Sequence, residues 1–133
     1  MGCWTPVEHF SPDQRALWHI ANTAPDGSAF DVVCGAQNVG RLDWPLTGFH
    51  NVANALAALA AGRHAGVPPQ VGIEALAQFR NVKRRMELRG EVRGVRVYDD
   101  FAHHPTAIMA TLDGLRRHVG ERRILAVLEP RSN

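Results

Sequence analysis

The sequence predicts an α/β chain in two parts: a strand meander with two helices, then a strand–helix–strand unit. Three observations carry this. Turn signals at Pro25-Asp26-Gly27-Ser28 and at residues 35–40 divide the first third into short apolar runs. From residue 48 the apolar period lengthens to three and four. After residue 85 it shortens to two, then lengthens again, then gives way to a continuous apolar run.

In chain order, Ser11-Pro12-Asp13 is turn-like and suits the start of a short helix reaching Trp18. Residues 17–21, 30–34 and 41–46 read as three antiparallel strands. Val52, Ala53, Leu56, Leu59, Ala60 and Arg63 mark a helix over residues 48–64, stopped by Gly66, Pro68 and Pro69. A second helix over residues 70–79 carries Val71, Ala75, Leu76 and Phe79 on one face. Met86, Leu88 and Val92, then Val95 and Val97, read as two strands joined at Arg93-Gly94. Ile108, Leu112, Leu115 and Val119 mark a third helix, with Pro105 suited to its first turn and Gly120 ending it. Residues 124–128 (ILAVL) have the uniform apolarity of a buried parallel strand.

Residues 95–128 thus form the expected βαβ unit, and the polar, basic residues 81–85 form the expected junction. Domains are expected at 1–82 and 83–133. The chain stops just after a strand, so it is expected to be truncated.

The 133 residues are 45% hydrophobic and 21% charged, a globular composition, and no apolar run is long enough to span a bilayer. The first residues lack the basic start and apolar core of a signal peptide, which points to the cytoplasm. Cys3 and Cys34 lack CxxC spacing and read as free thiols, not zinc ligands. Net charge is only +2, and the arginines are not interleaved with stacking aromatics, so nucleic acid is not an expected partner.

Four stretches carry candidate chemistry. In GFHNVANALAALAAG, His50, Asn51 and Asn54 share a helix face; either Asn51 caps the helix and His50 is incidental, or the carboxamides face a base. Lys83, Arg84, Arg85, Arg89, Arg93 and Arg96 fall within residues 83–96, as either a solvated basic run or an arginine fork for phosphate. In YDDFAHHPTAI, Asp99 and Asp100 either cap the third helix or line the ligand edge at a strand's carboxyl end, with His103 and His104 beside them. Arg131, Ser132 and Asn133 lie at the corresponding end of the last expected strand. Lys83 is the only lysine and follows Val82, so the sequence contains no GxxxxGK[ST] loop. Any nucleotide bound here has its phosphates cradled by another segment.

GFHNVANALAALAAG, FRNVKRRME and DDFAHHPTAI, in this order, resemble the Mur ligase family of ATP-dependent amide-forming enzymes. The wording of CWTPVE, YDDFAHHPTAI and EPRSN points, within that family, to a branch acting on a recovered murein tripeptide. The resemblance implies the C-terminal part of a central ATPase domain followed by the start of a Rossmann-like C-terminal domain. It implies ATP and Mg2+ as cofactors, with the metal ligands outside this stretch. It implies UDP-N-acetylmuramate and L-alanyl-γ-D-glutamyl-meso-diaminopimelate as substrates in peptidoglycan recycling, with no membrane or nucleic-acid partner.

By the same resemblance, His50, Asn51 and Asn54 lie near adenine, and Arg85 or its neighbour Arg84 reaches phosphate. Asp100 lies by the ribose and hinge with His103 and His104 completing its motif, and Arg131, Ser132 and Asn133 face the amino substrate. No catalytic residue is assigned. Without the phosphate loop, the chain alone is expected to be inactive. The alternative reading is a noncatalytic nucleotide- or anion-binding module.

Overall fold

The structure is a computed structural model and describes residues 4–129. The expected contacts of Arg131, Ser132 and Asn133, and the state of Cys3, lie outside the described residues.

The first part is a three-stranded antiparallel sheet, β1 (Trp18–Ala21), β2 (Ala29–Cys34) and β3 (Gln37–Asp43), in that order. Its alternation puts Trp18, Ile20, Phe30, Val32 and Leu42 on one buried face, and a bulge at Val39, opposite Val32 and Val33, returns that side chain to it. The helix expected before Trp18 is not formed: residues 13–16 make a turn, closed by Ala16 N–H donating to Asp13 O at 3.1 Å. Trp18 instead enters β1, where burying an indole outweighs a marginal short helix. β3 starts earlier than expected because Gly35, at φ +61°, reverses the chain in two residues, so Cys34 pairs with Gln37.

Helix α1 (Phe49–His64) lays Val52, Ala55, Leu56 and Leu59 on this sheet, the i, i+3, i+4, i+7 stripe. Helix α2 (Pro69–Ala77) buries Ile73 and half-buries Leu76, whereas Val71 and Phe79 are exposed. The expected face was therefore rotated. The docking side is set by Gly72, where a Cβ would lie 2.7 Å from Leu59 Cδ2.

The second part begins with the hairpin β4 (Glu87–Val92) and β5 (Val95–Asp99), turning at Arg93 and Gly94 with φ of 50° and 79° as a primed turn requires. Helix α3 (Pro105–Val119) starts at Pro105 and ends at Gly120, as the sequence predicts. The last strand of the expected βαβ unit is not formed: residues 124–128 belong to no sheet, and Leu125 and Val127 are 79% and 88% exposed. β5 pairs with β4 in antiparallel along one edge, and its other edge takes no strand among the described residues.

α3 returns to the first part. Gly114 is buried against Gly48, and a Cβ on Gly114 would sit 2.9 Å from Gly48 Cα. Arg117 stacks over Phe49 at 5.5 Å, and His118 Nδ1 lies 2.8 Å from Asp26 Oδ2.

Candidate functional site

This return of α3 closes a cavity of about 540 Å³ between the two parts. Its walls come from the segment after β3 (Trp44, Leu46), the first turns of α1 (His50, Asn51, Asn54), the junction (Asn81, Arg85), the end of β5 (Tyr98, Asp100) and α3 (Thr111, Leu115). The volume suits a small-molecule site, and the lining mixes apolar walls with a few polar groups.

Five of the expected residues converge here: His50, Asn51, Asn54, Arg85 and Asp100. They come from segments far apart in sequence, so the junction and α3 docking assemble them. Neither carboxamide caps α1. Gly48 is the N-cap, at φ +91°, and Asn51 sits in the third helical position, where its Nδ2 donates to Thr47 O at 2.7 Å. Its oxygen end remains available to the cavity. Asn54, one turn on, is exposed and lines the same wall.

The His50 ring folds over Gly48, where a Cβ would approach its Cε1 to 2.6 Å. Burial against this wall pushes the imidazole below its ordinary value; Asp100 pulls it back up and Arg85 pushes it further down. His50 therefore favours its neutral form, able to both donate and accept.

The aspartates do not cap α3 either. His104 is its N-cap, without a side-chain bond. Asp100 instead accepts two backbone amides, Met86 N–H at 2.8 Å and Ala102 N–H at 2.7 Å, because its short carboxylate spans from the end of β5 back to the junction. Asp99 pairs with Arg84 at 3.6 Å.

Arg84 and Arg85 thus separate. Arg84 lies over the Phe101 ring at 5.0 Å and lines no part of the cavity; Arg85 does line it. His103 and His104 also stay outside. The His103 Nδ1 is 3.1 Å from Phe101 O, and its ring packs edge-on to Phe101. Among the described residues, no group of three His, Cys, Asp or Glu side chains is placed to hold a metal ion. No helix there is long and apolar enough to cross a membrane.

Trp44, Asn81, Tyr98 and Thr111 were not anticipated at the site. Asn81 had a signal, a carboxamide in an otherwise basic junction; the others are visible only once α3 docks.

Residues 84–133 match the family described as Mur ligase, glutamate ligase domain. Over 134 aligned positions the whole chain is 51% identical to the UDP-N-acetylmuramate–L-alanyl-γ-D-glutamyl-meso-2,6-diaminoheptandioate ligase of Escherichia coli K12, and 47% identical to that of Haemophilus influenzae. It spans 29% of the length of each. Among solved structures, a murein peptide ligase from Psychrobacter arcticus is 44% identical with a TM-score of 0.61, over 89% of this chain and 25% of that one. The UDP-N-acetylmuramate–alanine ligase of Thermotoga maritima is 26% identical with a TM-score of 0.66, over 79% of this chain and 25% of that one.

Residues 84–133 thus match a Mur ligase domain, and the whole chain is similar to members of that family, in agreement with its three ordered motifs. Its mixed α/β fold is similar to the solved members, and within the family its relatives at 47–51% identity are ligases acting on UDP-N-acetylmuramate and a murein peptide.

Proposed function

We propose that this chain forms one wall of the ATP site in a cytoplasmic ligase that joins L-alanyl-γ-D-glutamyl-meso-diaminopimelate to UDP-N-acetylmuramate during peptidoglycan recycling. The supporting observation is the convergence of His50, Asn51, Asn54, Arg85 and Asp100 on one cavity from both sides of the junction. In this reading residues 1–82 end the central ATP-binding domain and 83–133 begin the C-terminal domain, whose Rossmann-like sheet is completed by other chain segments.

The roles follow from the chemistry of the groups. Leu46, Trp44 and the α1 wall exclude water around a base, whose edge Asn54 reads with a donor and an acceptor. Arg85 offers a planar fork to phosphate oxygens. Asp100 holds the junction in register through Met86 while lying beside the sugar. In the reaction, the substrate carboxylate takes the terminal phosphoryl group of ATP, releasing ADP; the peptide amine then attacks the acyl carbon, loses a proton and expels phosphate. Mg2+ supplies neutralisation of phosphate charge when bound, with ligands from other segments. Arg85 adds positive charge on the junction side.

The test is phosphate release with ATP, UDP-N-acetylmuramate and the tripeptide. The 133-residue chain alone is expected to give none, and the intact ligase carrying this segment to turn over. Turnover by the short chain would overturn the division of labour. Unchanged ATP kinetics in both Arg85→Ala and Asp100→Ala of the intact ligase would remove the site.

A further inference from the structure

The two neighbouring arginines at the junction are sorted to opposite sides, and the backbone that sorts them is strained. Arg84 has φ +59° and Met86 φ +48°, so both residues flanking Arg85 are left-handed, a conformation that carries a cost for any side chain with a Cβ. Such a pair persists only where the surroundings hold it. Here the backbone groups are held one by one. Arg84 N–H donates to Glu87 Oε2 at 3.0 Å, and Arg84 O accepts from Phe101 N–H at 2.8 Å. Met86 N–H donates to Asp100 Oδ2 at 2.8 Å. Arg85 O accepts from Asn81 Nδ2 at 2.6 Å, while Asn81 Oδ1 takes Val82 N–H at 2.9 Å.

Asn81 lines the cavity, yet both ends of its carboxamide are used within the loop. That distinguishes it from Asn54, which faces the same space. We propose that Asn81 is a positioning residue for Arg85: it closes the 81–85 loop on the Arg85 carbonyl and so keeps Arg85, not Arg84, directed to the cavity. This rests on the reading that Arg85 meets ATP phosphate. Asn81 itself touches no substrate and acts through Arg85 alone.

The experiment is a double-mutant cycle in the intact ligase, with KM for ATP and kcat read separately. Asn81→Asp deletes the donor and keeps the acceptor for Val82; Asn81→Ala deletes both. Each is expected to raise KM for ATP about three- to tenfold, the scale of one lost hydrogen bond, and to have no further effect when Arg85 is already alanine. Met86→Gly, which removes the Cβ penalty of the left-handed residue, is expected to restore most of the loss in Asn81→Asp. An equal penalty with and without Arg85, or none while Arg85→Ala is penalised, overturns the assignment. If Arg85→Ala itself leaves KM unchanged, the ATP reading fails separately. The clamp is then decided by amide exchange: Met86 N–H should exchange about tenfold faster in Asn81→Ala, and unaltered protection overturns it.

Discussion

His118 and Asp26 are 92 residues apart in the chain, and the imidazole Nδ1 of one lies 2.8 Å from the carboxylate Oδ2 of the other. With the Gly48–Gly114 contact one turn away, this pair fastens the second part of the chain over the cavity. Burial raises the Asp26 carboxyl, but bonds from Ser28 and His118 outweigh it and hold the group below its ordinary value.

A depressed carboxyl contributes stability at neutral pH that is lost as pH falls through its folded value. Docking of α3 is therefore expected to weaken below about pH 3.8, the ordinary value of the group, and Asp26→Asn should flatten that limb. Amide exchange of residues 105–119 against pH, with the first sheet as internal reference, measures it. A wild-type limb identical to the mutant's counts against the pair.

Gly114→Ala is expected to lower stability by about 1–3 kcal/mol, although alanine is the better helix former. The added Cβ would lie 2.9 Å from backbone at Gly48, which has no flexible end to move. Urea titration of the variant reads this directly, and stabilisation would mean that α3 is free to shift.

Ile73→Ala should cost about 2–5 kcal/mol, against less than about 0.5 kcal/mol for Val71→Ala. Ile73 is 6% exposed and Val71 51%. Equal losses in thermal unfolding would restore the rotated face that periodicity suggested.

His50 is held neutral chiefly by burial, so protonating it works against the folded state. For a base depressed on folding, stability is full above the unfolded value of 6.5 and declines as pH drops beneath it. His50→Gln should remove this decline, measured as the urea midpoint between pH 7 and pH 5. A phosphate-bearing ligand in the cavity should raise the His50 midpoint in a proton NMR titration, since added negative charge favours the imidazolium.

Much of the fold was legible because local rules decided it. Arg93-Gly94 turns a hairpin, Pro105 and Gly120 bound α3, and the stripe from Val52 to Leu59 faces the sheet. What failed depended on neighbours. Residues 124–128 are apolar enough for a buried strand, yet they join no sheet, because apolarity alone does not specify a pairing edge. Asp99 and Asp100 lie ahead of α3 but short of its N-cap, His104; Asp100 binds the Ala102 and Met86 amides instead, and Asp99 pairs with Arg84. At the site, Arg84 and Arg85 are equivalent by sequence and are separated only by the left-handed backbone on either side of Arg85.

Trp44 has a consequence for how this cavity can be watched. Its indole N–H is tied to Gly27 O at 3.1 Å, its ring meets Phe30 edge-on, and its remaining face borders the open volume. The other two indoles are of opposite kinds, Trp18 sealed and Trp4 fully exposed. The chain thus carries its own optical reporter: an external quencher silences Trp4, Trp18 stays constant, and a change in the remaining emission on filling the cavity comes from Trp44.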